Sequence, residues 1–159
     1  MVETRVYLAG MMSGLTIDEM KVWRRIATKK LSGYGFSVTD PVERLDNEQV
    51  NDLQSHAETG SKLVSSGNEI VDLNLYHISH CDIVLAELNQ DGVSIGTIGG
   101  IIVASRELKK PVIAWGGNEY LINHPWVKKH ITAHKLLLND AIDYIRACYT
   151  CSRLERVRE

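Results

Sequence analysis

The residues of this 159-residue chain best suited to chemistry lie between Asp82 and Ala104. An apolar run, Asp82-Ile-Val-Leu-Ala-Glu-Leu88, leads through Asn89-Gln-Asp-Gly-Val into Ser94-Ile-Gly96-Thr97 and then Gly99-Gly100-Ile-Ile-Val-Ala104. This is the order of a buried strand, a glycine-rich turn and a helix start. Backbone N–H groups at a helix start are unpaired and sit at the positive end of the helix dipole, and glycines let an anion approach them closely. The pattern predicts a phosphate site. Gly99-Gly100 has an equally ordinary reading, a helix packed tightly on its sheet.

Two other groupings carry less. His77, His80 and Cys81 fall at helical spacing, but a fourth ligand for a metal is not visible, so they read as a partly buried helix end. Cys148-Tyr-Thr-Cys151 is a lone C-x-x-C beside a charged tail, without the second pair a zinc site needs or the preceding strand usual for a redox motif. No metal and no cofactor is expected.

The elements that must position the anion site follow from periodicity. Arg5-Val-Tyr-Leu-Ala-Gly10 reads as a buried strand, followed by the loop Met11-Met-Ser-Gly-Leu15. Met20, Trp23, Ile26, Ala27 and Leu31 recur at spacings of three and four and predict a helix over 16–32, opened by a Thr16/Glu19 capping box and stopped at Gly33. Phe36-Ser-Val-Thr-Asp40 is a second strand, closed by Pro41. The polar stretch 43–68 is an insertion, a lid or a pair of weak helices. A helix over 69–78 would turn Ile70, Leu73 or Asn74, His77 and Ile78 to one side. A helix over 98–108, a strand Pro111–Trp115, a fifth strand Lys135–Leu138 and a closing helix Asp140–Cys148, capped by Asn139 or Asp140, complete the order.

Strands alternating with helices, with apolar strand interiors, predict a three-layer, doubly wound α/β domain with a mostly parallel sheet, Rossmann-like or flavodoxin-like, spanning 1–159 as one domain. Ligands of such sheets sit beyond the C-terminal strand ends. That gathers Gly10 to Gly14, Glu87 to Thr97 and Gly116 to Glu119 around one crevice. Trp115 there is either an aromatic wall for a base or core. His124-Pro-Trp126 and Lys128-Lys129-His130 read as an oligomer contact or a solvated face.

Bulk composition narrows the classes. With 44% apolar and 24% charged residues the chain has the make-up of a soluble globular protein, without the roughly 20-residue apolar run of a membrane span. Neither a membrane partner nor a secretory leader is expected, and the default compartment is cytoplasmic. A formal charge of -2 offers no basic footprint for long nucleic acid. Three cysteines make no disulfide framework.

In order and spacing, Tyr7-Leu-Ala-Gly-Met-Met-Ser-Gly14, Gly35-Phe-Ser-Val-Thr-Asp-Pro41, Asp82–Leu88 and Ser94-Ile-Gly-Thr97 resemble the nucleoside 2-deoxyribosyltransferase superfamily. The branch they look most like contains the 2'-deoxynucleoside 5'-monophosphate N-hydrolases, and the match covers roughly residues 5–116. The resemblance implies a small-molecule nucleoside or nucleotide ligand, with phosphate held by Ser94, Gly96 and Thr97 and the sugar lined by Tyr7, Gly10 and Met11. It also implies a homo-oligomer.

Two positions depart from the family's pattern. The glutamate that ends S-x-G-x-x-x-E falls on Gly100, and the assisting aspartate falls on Asn74. Glycosyl transfer needs a carboxylate to capture or stabilise an oxocarbenium-like cation. Glu87 at the strand end, Asp91 in the turn, and Glu69 or Asp72 one helical turn before Asn74 are the candidates to replace it, with Tyr7 as a hydroxyl partner. Each has a plain alternative: a solvated strand end for Glu87, a turn former for Asp91 and a surface charge for Asp72. Two functions follow, cleavage or exchange of an N-glycosidic bond in a (deoxy)nucleoside or its 5'-monophosphate, or binding of a nucleotide or ribose-phosphate without catalysis.

Overall fold

A computed structural model describes residues 3–43 and 67–150. Strands β1 (Arg5–Ala9), β2 (Ser37–Thr39), β3 (Ile83–Glu87), β4 (Val112–Trp115) and β5 (Ala133–Lys135) form one sheet. Their order is β2-β1-β3-β4-β5 and every pairing is parallel. The helices are α1 (Ile17–Gly33), α2 (Gly67–Ser79), α3 (Ile95–Ile102), α4 (Glu119–Asn123), α5 (Pro125–Lys128) and α6 (Leu138–Tyr149), with a π turn, Val103–Glu107, continuing α3. This is the flavodoxin-like, doubly wound arrangement expected from the alternating pattern.

Alternation along each strand sorts the core into two layers. Val6, Leu8, Ile83, Leu85, Ile113 and Trp115 pack with Trp23, Ala27 and Leu31 of α1 and with Ala141, Ile142 and Ile145 of α6. Tyr7, Ala9, Val84, Ala86, Val112 and Ala114 pack instead with Ile78 of α2, Ile101 of α3, Leu121 of α4 and Val127 of α5. With helices on both faces, β3 is buried at every residue, which is why its sequence is a continuous apolar run rather than an alternating one.

The capping box at the start of α1 forms: the Glu19 N–H donates to Thr16 Oγ1 at 3.3 Å and the Thr16 N–H to Glu19 Oε2 at 2.7 Å. The helix runs through Gly33, and the left-handed residue is Gly35, at φ +88°. Ile26 is exposed and Arg24 takes the buried place on that face. Leu73 of α2 is exposed and Asn74 half-buried, so the inward face of that helix passes through Asn74 and Ile78. The helix after the glycine turn begins at Ile95, capped by Ser94, earlier than periodicity implied.

The fifth strand is displaced from its expected place at 135–138: it spans Ala133–Lys135, and Leu138 already opens α6. Leu138 is buried in the core there, a side chain the end of a three-residue edge strand would not bury. The N-cap of α6 is Leu137, with no side-chain cap, while Asn139 Oδ1 accepts from Lys30 Nζ at 2.7 Å and ties α6 to α1. The candidate lid over 43–68 lies, apart from its ends, outside the described residues, as do Cys151 and the side chains of Glu69 and Ile70. No helix among the described residues is long and apolar enough to cross a membrane.

Candidate functional site

The sheet order reverses between β1 and β3, and at this switch point the connections leave toward opposite faces, opening a crevice above the strand ends. A cavity of about 590 Å³ lies there. Tyr7, Gly10 and Met11 of β1 and its loop form one part of its wall. Asn74 of α2 and Ser94, Gly96, Thr97 and Gly100 of the α3 start form another. Eight residues singled out in the sequence thus meet around one space, although they come from three separate stretches of chain.

Ser94 adopts extended backbone and caps α3: its Oγ accepts from the Thr97 N–H at 3.3 Å and from Thr97 Oγ1 at 2.9 Å. The N–H groups of Ile95 and Gly96 find no acceptor among the described residues. Those two amides and the Ser94 and Thr97 hydroxyls stand at the positive helix end, where an anion is stabilised. The loop leading into them is braced from behind. Asn118 Nδ2 donates to the Gln90 and Gly92 carbonyls at 2.8 and 3.3 Å, and the Gly117 N–H donates to Asn89 Oδ1 at 3.2 Å. Residues 116–118 therefore serve the site as a brace and are absent from the cavity wall. Trp115 is core, edge-on to Trp23 at 5.7 Å.

Tyr7 is buried, and its hydroxyl donates to Asn74 Oδ1 over a long 3.4 Å. Burial pushes its pKa up to about 12 against the opposing charge of Arg24. At neutral pH Tyr7 is a neutral hydrogen-bond donor.

Arg24, which residue spacing had not marked as functional, also reaches the cavity wall while only 1% exposed. Its Nη1 donates to the Met20 carbonyl at 2.8 Å, its Nη2 to the Gly10 carbonyl at 3.1 Å, and its Nε pairs with Asp40 Oδ1 at 3.3 Å. Burial lowers its pKa, with Asp40, Glu87 and Tyr7 acting in the opposite sense. One guanidinium thus fixes the loop after β1 and the end of β2 to α1. The signal was present in the sequence, since Met20, Arg24, Ala27 and Leu31 keep the spacing four, three, four of a buried helix face.

The candidate carboxylates separate. Asp72 and Asp91 are exposed and neither lines the cavity. Glu87 is only 5% exposed, behind Gly10: its Oε2 lies 3.0 Å from where a Cβ on Gly10 would stand, and its Oε1 accepts from Gln90 Nε2 at 3.1 Å. Burial raises its pKa, and Gln90, Arg24 and Trp23 offset part of that rise. It is not the solvated strand end that its position suggested. Among the described residues the wall of the 590 Å³ cavity holds no carboxylate.

No protein-family model matches the sequence, and no curated protein does. Solved structures do. A 2-deoxyribosyltransferase from Bacillus psychrosaccharolyticus is 19% identical, with 89% of this chain and 92% of that one covered at a TM-score of 0.61. A CMP N-glycosidase from Clostridium botulinum is 17% identical, with 91% and 99% covered at 0.53. A molybdenum cofactor binding protein from Rippkaea orientalis is 14% identical, with 94% and 99% covered at 0.57. At these identities the likeness establishes a shared fold.

Proposed function

We propose that this protein binds a nucleoside or its 5'-monophosphate in the cavity above β1 and β3 and acts on the N-glycosidic bond. The 5'-phosphate takes the free amides of Ile95 and Gly96 with the Ser94 and Thr97 hydroxyls. The sugar rests against Gly10 and Met11, between Tyr7 and Asn74. The observation that carries the reading is the convergence of these groups on one cavity large enough for such a ligand. The shared fold with a 2-deoxyribosyltransferase and a CMP N-glycosidase supports it. Exposed Val71, Val93 and Ile95 at the cavity add support for the homo-oligomer that belongs to the same reading.

A second reading, binding without turnover, is favoured by the lack of a carboxylate in the described cavity wall and by the glycine at position 100. Calorimetric titration with deoxynucleosides and their 5'-monophosphates, followed by chromatography for free base, tests both. Release of base establishes the first reading, binding with no release the second, and absence of binding removes both.

A further inference from the structure

The Tyr7 hydroxyl belongs to a side chain only 4% exposed, and its partner among the described residues, Asn74 Oδ1, stands 3.4 Å away. O–H···O bonds in proteins run from about 2.5 to 3.0 Å, so this contact is too long to satisfy a buried hydroxyl. Asn74 Nδ2 carries two further donors, and neither finds an acceptor among the described residues. Both side chains line the 590 Å³ cavity. Two polar groups that nearly meet on the wall of one space are short of a third that bonds to both.

The wall across from them is bare. Helices α2 and α3 each return from the C-terminal to the N-terminal ends of parallel strands, so they run side by side in the same direction. Ile78 of α2 packs against the Gly100 position of α3. One turn back along the two helices stand Asn74 and Gly96, each of them on the cavity wall. A Cβ at Gly96 or Gly99 would meet nothing within 4 Å, and neither glycine has a positive φ. Tight packing therefore accounts for Gly100 alone. At Gly96 and Gly99 alanine would fit and would make a better helix, so these glycines keep open a space that helix stability does not call for.

Neither Tyr7 nor Asn74 carries a charge at neutral pH, so the group they take is a neutral one that can donate and accept. An amide sets a donor and an acceptor side by side, the pattern that two neighbouring hydroxyls match. Resting on the nucleotide reading, we propose that Asn74 and Tyr7 bind the vicinal 2'- and 3'-hydroxyls of a ribose whose ring faces Gly96 and Gly99, so that the ligand is a ribonucleotide rather than a 2'-deoxyribonucleotide. One hydroxyl bridges the long Tyr7–Asn74 contact, accepting from the Tyr7 hydroxyl and donating to Asn74 Oδ1, and the other accepts from Asn74 Nδ2. A 2'-deoxyribose brings only one of the two and leaves a polar group of the site unmatched, which is the stronger ground for discrimination.

Calorimetric titration of the full chain with ribonucleoside 5'-monophosphates of adenine, guanine, cytosine and uracil, each beside its 2'-deoxy analogue and its arabino epimer, tests this. The ribo form is expected to bind about 10-fold or more tightly than either analogue, the scale of one or two neutral hydrogen bonds. Asn74→Leu keeps the bulk of the side chain and removes both amide groups, so it should bring the three forms to nearly equal affinity by weakening the ribo form. Gly99→Ala should raise the melting temperature of the free protein and weaken the ribo form about 10-fold. The comparison of the three sugars is made on the unaltered protein and stands even if a variant folds poorly. Equal affinity for ribo and 2'-deoxy forms, an arabino form bound as tightly as the ribo form, or a preference that survives Asn74→Leu overturns the diol site and leaves the nucleotide reading in place. Unchanged affinity in Gly99→Ala overturns the seat of the ring on α3. Absence of binding by every nucleotide overturns both the diol site and the nucleotide reading.

Discussion

The Ile78 Cδ1 atom lies 3.2 Å from the point where a Cβ on Gly100 would stand. Ile78 is 2% exposed and belongs to the core between β3 and α2, so it has little room to retreat. Placing a glutamate at position 100, as in the pattern the sequence resembles, therefore presses on the core as well as filling the cavity. Overpacking of this kind costs about 1–3 kcal/mol, while replacing a helical glycine returns up to about 1 kcal/mol. Gly100→Glu should lower the melting temperature by a few degrees, at about 2–4 °C per kcal/mol for a chain of this size. Adding Ile78→Val, which removes Cδ1, should recover part of the loss. Thermal melts of the two single variants and the double variant, treated as a cycle, check the coupling.

Arg24 and Asp40 form a pair whose side chains are 1% and 8% exposed, and the guanidinium also holds the Met20 and Gly10 carbonyls. Removing one partner of such a pair leaves the other's charge and the freed carbonyls unmatched. Arg24→Met should cost about 3–5 kcal/mol of unfolding free energy in urea. Arg24→Met with Asp40→Asn should cost less than Arg24→Met alone. Equal losses in the two proteins would show that Asp40 is not what Arg24 neutralises.

Burial raises the Glu87 pKa above its ordinary 4.5, so the folded protein holds this proton more tightly than the unfolded chain does. The stability so gained is complete below 4.5 and is lost as pH rises from there through the higher folded value. Asp40, whose pKa burial also raises from 3.8, adds the same slope. Glu87→Gln should therefore flatten the fall in melting temperature on the alkaline side of pH 4.5 and be no less stable than the parent at pH 7. Melting curves of the parent and the Glu87→Gln protein across that window check the difference.

The parallel sheet and its two-faced core were legible because strand alternation and helix spacing are local properties of sequence. That Gly10, Met11, Ser94, Gly96 and Thr97 would gather at the strand ends was legible for the same reason, since each sits where a strand gives way to a loop or a helix begins. What was not legible depends on pairs far apart in the chain. Arg24 keeps the spacing of the buried face, but a charge takes an inward place only with a partner, and Asp40, which pairs with its Nε, is brought there by the fold while Ile26 stays exposed. Glu87 was open to two readings, a carboxylate at the crevice or a solvated strand end, and which holds depends on Gly10, Trp23 and Arg24, which close over it. The fifth strand was displaced because Leu136 to Leu138 look like a strand, although Leu138 is needed to open α6 over the core.

Ser94 serves two ends that one substitution separates. As the N-cap of α3 it accepts from the Thr97 N–H and from Thr97 Oγ1, and losing a serine cap costs about 1 kcal/mol. Ser94→Ala should thus lower the melting temperature by a few degrees without ligand. If the helix start holds the 5'-phosphate, the same change removes one hydrogen bond to a charged group, worth about 1.5–3 kcal/mol, or roughly 10- to 100-fold in affinity. The loss should fall on deoxynucleoside 5'-monophosphates and leave the corresponding nucleosides, which lack the phosphate, almost unchanged. Calorimetry on both ligand series decides it, and an equal loss for nucleosides would place Ser94 away from the phosphate.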